Sequence, residues 1–192
     1  MVLSRLKNTI EKIDTANRAD PNLESGLPAA FLYGQRMTIE LSRLVPSASE
    51  VLQIAARGQH IERWLLPRTS YPTGKEGYFA WRREQGRRHA VRVSEIMASA
   101  GYPIADQERV GVLLRKEGIK RDSEVQTLED VICFVFIRWY FAPFAERRGL
   151  EENLEIVRKT ARKMSDSARL RAIKEFDLPD HLVNAIRPKQ GE

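Results

Sequence analysis

VICFVFIRWYFAPF, residues 131–144, is the most apolar stretch of this 192-residue chain. Its pattern predicts a helix over residues 123–147 whose aromatic-rich surface lies in the core. We expect Pro143 to kink this helix or to end it early, because proline lacks the backbone N–H and its ring clashes with the preceding turn. A buried helix of this kind favours an all-α fold.

Helical periodicity also dominates the sequence on both sides of this stretch. Proline, glycine and serine residues mark where the helices begin and end. No stretch predicts a strand, because the β-branched residues lie within helical patterns and no Asn-Gly or Asp-Gly hairpin turn occurs. We therefore expect a single-domain bundle of about nine helices over residues 1–192, with its core in 13–186 and a frayed tail at 187–192. The other predicted helices cover residues 3–17, 29–44, 49–65, 77–100, 104–117, 150–164, 166–176 and 179–186.

Length and composition are typical of one globular domain. A chain of this length can bury a core without disulfides or structural metals. The single cysteine, Cys133, lies among apolar residues, so we expect a buried structural thiol in a reducing compartment. No apolar run reaches the roughly 20 residues that span a bilayer. The N-terminal stretch carries acidic residues, unlike a secretory signal or transit peptide, which predicts a cytoplasmic protein without a membrane partner.

The net charge of +6, from 32 basic and 26 acidic residues, permits several classes of partner. It is compatible with a nucleic acid or a small anion and requires neither. The sequence contains no RNA-binding aromatic signature and no zinc-finger spacing. It also lacks the motifs GxxxxGK[ST], GxGxxG, GxSxG and HExxH, which argues against the common nucleotide-binding and hydrolase classes that those motifs mark.

The stretch that begins at His60 combines an imidazole with several basic and polar side chains. On the predicted helix 49–65, His60 shares a mixed polar face with Gln53, Arg57 and Trp64, and this face could line a cleft. Guanidinium groups bind carboxylate or phosphate through a forked pair of hydrogen bonds. The stretch is equally compatible with a solvated basic face. As a binding site, it would use Gln59, Arg63, Arg68 and Tyr71.

Glu129 and Asp130 bring two carboxylates into the most apolar helix. An ionised carboxylate in apolar surroundings costs several kcal/mol unless it is paired or binds a metal. Gln126 lies one turn before Asp130 on the same face. These acids could form a buried pair with an arginine or histidine, could be stabilised by the helix dipole, or could belong to a site. His89, among the arginines of residues 82–95, is either a surface histidine or a further site residue.

Several stretches together resemble an uncharacterised family that is catalogued as domain of unknown function 4202. The resemblance covers residues from about 13 to about 186, which is nearly the whole chain. It is carried by DTANRADPN (14–22), YGQRM (33–37), LQIAARGQHIERWLLPRTSYPTGKEGYFAWR (52–82), RHAVRVSEIMASAGY (88–102) and SEVQTLEDVICFVF (123–136).

The same pattern is similar, more distantly, to the HD-type metal-dependent phosphohydrolases. This similarity implies an HD-domain-like fold and a divalent metal, with Mn, Fe, Mg and Zn not distinguished, held by His60, His89 and Asp130. Such a metal activates water or polarises a phosphoryl oxygen. Ile61 stands where the HD pattern has aspartate, and residues 33–37 lack the histidine of its first helix. The metal could therefore be retained or lost.

Three functions are compatible with these patterns. The leading hypothesis is an HD-like hydrolase or lyase, with or without a metal, that acts on a small anionic substrate such as a phosphorylated compound or nucleotide. The alternatives are a metal-free module of the same fold that binds a small anion or a protein, and a nucleic-acid or tRNA-binding protein. In the leading hypothesis the catalytic residues are His60, His89, Glu129 and Asp130, and the substrate-binding residues are Gln59, Arg63, Arg68, Tyr71, Lys120 and Gln126.

Overall fold

The chain is predominantly helical, which confirms the predicted all-α class. A computed structural model describes residues 4–188, and within them it contains ten α-helices where about nine were predicted. Two short 3-10 turns, Arg63–Leu65 and Arg68–Ser70, follow the third helix. The helices are α1 (Arg5–Asn17), α2 (Ala29–Leu44), α3 (Glu50–Arg57), α4 (Gly74–Ser99), α5 (Ile104–Arg115), α6 (Ser123–Val135), α7 (Phe141–Ala145), α8 (Leu150–Lys163), α9 (Asp166–Glu175) and α10 (Asp180–Ile186).

Capping side chains explain where several helices begin. Ser4, Ser49, Asp122 and Ser165 each accept a hydrogen bond from a backbone N–H in the first turn of the helix that follows. Such caps satisfy amide groups that have no partner inside the helix. Most predicted boundaries agree with the structure to within a few residues.

The predicted helix 49–65 is wrong in its second half, because α3 ends at Arg57. A side chain at Gly58 would place its Cβ 2.6 Å from Val93 Cγ2, so only glycine allows this close approach to α4. Glu62 then adopts a left-handed conformation, with φ 51° and ψ 29°. His60 therefore lies in a turn, and the helical face predicted to carry it does not form.

The expectation that the chain has no strand is also wrong. Leu23–Glu24 pairs antiparallel with Leu27–Pro28 in a two-stranded hairpin immediately before α2. Ser25 and Gly26 form its turn, with φ of 52° and 79°. Positive φ at both central residues is the geometry of a two-residue hairpin turn, and here Ser-Gly adopts it in place of Asn-Gly or Asp-Gly.

The apolar helix is interrupted before Pro143 and continues past it. The α-helical turns of α6 give way to a π-helical turn, Phe136–Tyr140, in which the Phe141 N–H donates to the Phe136 carbonyl. Helix α7 then continues to Ala145. Proline cannot donate to the carbonyl four residues earlier and its ring crowds that carbonyl, so a wider turn at this position accommodates it.

Contacts divide the chain into two compact units, residues 1–117 and 118–192. In the first unit, α4 packs along α5, and α3 contacts α1, α2 and α5. In the second unit, α8 packs against α6 and α10. The predicted single-domain organisation stays a prediction. Residues 189–192 of the predicted frayed tail, and residue 3 of the first predicted helix, lie outside the described residues.

No helix among residues 4–188 is both long enough and apolar enough to cross a membrane. Cys133 is buried, as predicted. The largest fully buried side chains of the first unit include Ile13, Met37, Ile54 and Ile61, and those of the second include Phe134.

A buried ion pair joins the first three helices. Arg57, at the end of α3, donates from Nε to Asp14 Oδ1 at 2.6 Å and from Nη2 to Asp14 Oδ2 at 2.7 Å. Its third nitrogen, Nη1, donates to Thr38 Oγ1 on α2 at 3.2 Å. A Cβ at Gly34 would lie 2.9 Å from the Arg57 carbonyl oxygen, so this glycine leaves room for the pair. The forked pair holds the last residue of α3 against α1, directly before the turn that carries His60.

We predict that Asp14→Asn destabilises the protein by about 3–5 kcal/mol, because the substitution leaves the Arg57 guanidinium buried without its counter-charge. Urea unfolding measures this loss. Glu11→Gln is the control, since Glu11 pairs with Arg18 at 2.9 Å where both side chains are about half exposed. An exposed pair contributes less than about 1 kcal/mol. Equal losses in the two variants would contradict a structural role for the buried pair.

Candidate functional site

One face of α4 holds the irregular chain at residues 59–66, named here the 59–66 segment. Trp81 donates from Nε1 to the Leu66 carbonyl at 2.9 Å. Gln85 donates from Nε2 to the carbonyls of Arg63 and Leu66, at 3.0 and 2.9 Å. His89 bonds to the backbone of Gln59. The three donors are spaced four residues apart and therefore lie on one side of the helix.

Glu62 is held by two further contacts. Its carboxylate accepts from Arg92 Nε at 3.0 Å, and its backbone N–H donates to Asn17 Oδ1 at 3.2 Å. A left-handed conformation costs a non-glycine residue roughly 1–2 kcal/mol. These contacts offset that cost and fix the direction in which the chain leaves His60 and enters Arg63.

His60 and His89, both predicted site residues, lie close together in the first unit. The His60 ring stacks on Tyr33, with ring centroids 3.7 Å apart and an interplanar angle of 17°. The centroids of the two imidazoles are 6.3 Å apart. The structure thus brings together a histidine from the turn after α3 and one from the middle of α4.

Both imidazoles are neutral at pH 7. Burial, with the nearby positive charge of Arg63, lowers the pKa of His60 well below its usual range. Burial is also the main reason that the pKa of His89 falls to about 3. A buried imidazole loses its hydration shell, and nearby cations disfavour the protonated form further.

The contact of His89 with the Gln59 backbone favours one tautomer of its ring. Nε2 of this ring is buried and has no hydrogen-bond partner among the described residues. We infer that the contact with the Gln59 backbone is made by Nδ1–H, which leaves Nε2 as an acceptor. Gln59 is itself 7% exposed, and its Oε1 has no partner among residues 4–188 either. Two buried acceptors thus lie near the turn that carries His60.

Arg63 supplies a positive charge beside these groups. Its guanidinium carbon lies 4.5 Å from the ring centroid of Trp81, and the side chain is half-buried. Burial lowers the pKa of Arg63 from its ordinary value, while Tyr33 opposes that shift. A guanidinium nevertheless stays protonated at neutral pH. Among the described residues, no carboxylate forms a salt bridge with Arg63.

Arg68 and Tyr71, both predicted to bind substrate, lie in the loop that leads into α4. The Arg68 guanidinium donates to the backbone carbonyls of Tyr71 at 2.9 Å, Pro72 at 2.8 Å and Gly74 at 3.3 Å. It therefore braces the loop that leads into α4. The predicted role of these two residues in substrate binding stays a prediction.

The other predicted site residues lie in the second unit. Asp130 Oδ1 accepts from Gln126 Nε2 at 2.9 Å and from the Ser165 N–H at 2.7 Å, and Oδ2 accepts from Ser165 Oγ at 2.6 Å. Burial raises the pKa of Asp130, against the effect of these hydrogen bonds. Lys120 Nζ donates to the Met164 carbonyl at 2.6 Å. These contacts secure the turn between α8 and α9. Glu129 is buried in α6 of the same unit.

A divalent metal needs more ligands than the first unit brings together. Among residues 4–188, no three His, Cys, Asp or Glu side chains lie close enough to one another to hold a metal ion. His60 and His89 supply two neutral imidazoles, which suit Zn, Mn or Fe but do not complete a coordination sphere. The metal implied by the HD resemblance stays a prediction.

A shallow cavity of about 190 Å³ lies beside the 59–66 segment. Two of its arginines are already paired, Arg87 with Glu84 at 2.7 Å and Arg92 with Glu62 at 3.0 Å. These carboxylates neutralise part of its charge, so it is a weaker candidate for an anion than the surroundings of Arg63. The cavity is lined by Ile61, Glu62, Arg87, Arg88, Val91, Arg92 and Glu95.

Three residues that build this site were not predicted from the sequence. Tyr33 forms the stacking surface for His60, and Trp81 and Gln85 hold the 59–66 segment. The spacing of Trp81, Gln85 and His89 was visible in the sequence, since residues four apart share a helix face. Nothing in the sequence indicated that their partners would be backbone carbonyls.

The structure defines a predominantly helical protein in which the irregular turn after α3 places His60 and Arg63 near His89 of α4. The model of the family described as Domain of unknown function (DUF4202) matches residues 7–186, and the chain belongs to this family. No curated protein and no solved structure matches the chain. The family resemblance inferred from the sequence is confirmed, and the more distant similarity to HD-type phosphohydrolases stays a prediction.

The low pKa of His89 predicts how stability depends on pH. In the unfolded chain this histidine takes up a proton near pH 6.5, whereas in the folded protein it does so only at about pH 3. The unfolded state therefore binds more protons in this window, and stability should fall as the pH decreases from 6.5. One such group contributes at most about 1.4 kcal/mol per pH unit. We predict that His89→Asn, whose amide can still donate to Gln59, flattens the slope measured by urea unfolding between pH 6.5 and 5.

His181→Asn is the matched control, because His181 is exposed at the start of α10. The dependence of stability on pH in the His181→Asn variant should equal that of the unmodified protein. If His89→Asn also left the slope unchanged, the inference that His89 is buried in its neutral form would be wrong.

Proposed function

We propose that the first unit binds a small anionic molecule at the cluster formed by His60, His89 and Arg63, named here the histidine–arginine cluster. The observation that carries this proposal is the half-buried guanidinium of Arg63. It lies beside two neutral imidazoles and has no carboxylate partner among the described residues. A partly desolvated cation without a counter-charge is stabilised by an anion from solution.

The charges around the cluster favour the same ligand class. Arg63, Arg82, Arg88 and Lys116 all contribute to the low pKa values of the two histidines, which means that their combined field at the imidazoles is positive. A positive field in partly dry surroundings attracts an anion more strongly than it would in water. The acids Glu129 and Asp130 belong to the second unit, and their contribution to this cluster stays a prediction.

The uncharged groups favour phosphate over carboxylate. His89 Nε2 and Gln59 Oε1 are buried acceptors without partners among residues 4–188, so a matching ligand must offer hydrogen-bond donors as well as negative charge. A carboxylate has no donor of its own. A hydrogen phosphate or a phosphorylated molecule with hydroxyl groups has both, and a guanidinium binds phosphate oxygens through two parallel bonds.

A second candidate function is the HD-like hydrolase or lyase predicted from the sequence. The orientation of His89 favours it, because a ring that donates from Nδ1 to a backbone carbonyl and presents a bare Nε2 is arranged like a metal ligand or a proton acceptor. Its pKa of about 3 argues against proton transfer, since an effective general base has a pKa near the working pH. Binding of an anion is therefore the better supported proposal.

Titration of the protein with inorganic phosphate, followed by isothermal calorimetry at pH 7, tests the binding proposal. We predict that Arg63→Met weakens phosphate binding by about 10- to 100-fold, the effect of losing a charge-assisted hydrogen bond of 1.5–3 kcal/mol. Arg83→Met is the control, because Arg83 is an exposed arginine of α4. Absence of phosphate binding by the unmodified protein, or equal affinities of the two variants, would overturn the proposal.

Turnover separates the two candidate functions. The protein is incubated with phosphomonoesters, with and without added Mn²⁺, Mg²⁺ or Zn²⁺, and the phosphate released is measured. Release that His60→Ala and His89→Ala abolish would support the hydrolase. Phosphate binding without any release would leave the protein as a binding module.

A further inference from the structure

We infer that the ligand of the histidine–arginine cluster is a nucleoside phosphate, whose base stacks on Tyr78 while its phosphate pairs with Arg63. The inference rests on the proposed anion binding and adds a second contact surface to it. This surface is a row of aromatic rings on α4 that begins beside Arg63 and ends in solvent.

The row follows from the helix geometry. Tyr78 lies three residues before Trp81, which places it about 4.5 Å further along the axis on a neighbouring part of the same face. The Arg63 guanidinium is 4.5 Å from the Trp81 ring, and the Trp81 and Tyr78 ring centroids are 6.1 Å apart. The same face continues through Gln85 to the buried His89. A single face of α4 therefore leads from an exposed ring to the deepest acceptor of the cluster.

Two large aromatic side chains are exposed at the outer end of this row. Tyr78 is 39% exposed and Phe79 is 45% exposed, with ring centroids 5.7 Å apart. Isolated exposed apolar residues are common, but two adjacent rings next to a cationic cluster form a surface on which a planar group can stack. Stacking of one base on an aromatic side chain typically contributes 1–3 kcal/mol.

Cations accompany these rings. Lys75 Nζ lies 5.9 Å from the Phe79 centroid, and the Arg82 guanidinium carbon lies 5.8 Å from the Tyr78 centroid. Arg82 Nη1 also donates to the Tyr78 hydroxyl at 3.1 Å. The surface thus combines aromatic faces with positive charge, which suits a ligand that carries both a flat ring and an anion.

A nucleoside phosphate has every group that the site requires. Its phosphate provides the counter-charge for Arg63, and its base has two flat faces. A simple phosphate satisfies the cation alone and leaves the exposed rings without a role. An acidic peptide would need to bring an aromatic side chain and a donor into the same small space.

Calorimetric titration with ribose 5-phosphate and with the four nucleoside 5′-monophosphates AMP, GMP, CMP and UMP tests this inference. We predict that at least one of the nucleotides binds tenfold or more tightly than ribose 5-phosphate, because only the nucleotide carries a base. Tyr78→Leu should remove most of this advantage and leave ribose 5-phosphate binding unchanged. Tyr78→Phe is the matched control: it loses the hydrogen bond to Arg82, keeps the ring and should retain the nucleotide affinity.

The outcomes separate this inference from the proposal on which it rests. If phosphate and ribose 5-phosphate bind through Arg63 but no nucleotide binds more tightly, the nucleotide assignment is wrong and anion binding stands. The assignment is also wrong if Tyr78→Leu leaves the nucleotide advantage intact. If none of these compounds binds, the proposed function itself is overturned. Circular dichroism and thermal melting confirm that each variant is folded, which is expected at an exposed position.

Discussion

The position of the candidate site depends on three side-chain donors of α4 that satisfy backbone carbonyls outside any regular helix. After α3 ends, the carbonyls of Gln59 and Leu66 lie outside the helical hydrogen bonds, and the Arg63 carbonyl accepts one backbone bond, from the Leu66 N–H at 3.3 Å. Buried carbonyls without partners are costly. Trp81, Gln85 and His89 provide those partners from one helix face. The same bonds that stabilise the turn therefore also place His60 and Arg63, so the packing of the first unit and the geometry of its site have one cause.

The regular part of this fold could be predicted from the sequence, because helix periodicity and capping residues are local signals. Helix α2 begins and ends where Pro28 and Pro46 predict, at Ala29 and Leu44. The end of α3 could not be predicted, because it depends on the contact between Gly58 and Val93 and on the left-handed backbone of Glu62, both of which are set by α4. The Ser25-Gly26 hairpin was missed because its turn residues are not the most common pair.

The sequence identified the chemical types of the residues in the candidate site, but only partly predicted where in the fold they lie. His60, His89 and Arg63 were identified as chemically capable side chains, and the structure brings them together in the first unit. The same chemical reasoning selected three residues of the second unit, Asp130, Gln126 and Lys120. Their hydrogen bonds hold the turn between α8 and α9. Their partners are Ser165 and backbone carbonyls, and a backbone carbonyl has no signature in a sequence. A polar side chain in an apolar helix therefore indicates first a hydrogen bond that is satisfied within the protein. A catalytic or binding role needs further evidence.

Side-chain ¹⁵N NMR of the three histidines, recorded at pH 7 before and after addition of phosphate, tests whether His60 and His89 form an anion-binding site. We predict that His89 is neutral with its proton on Nδ1, and that phosphate perturbs the rings of His60 and His89 and leaves the exposed His181 unchanged. A charged His89, a proton on Nε2, or a response to phosphate that is the same at all three rings would contradict it.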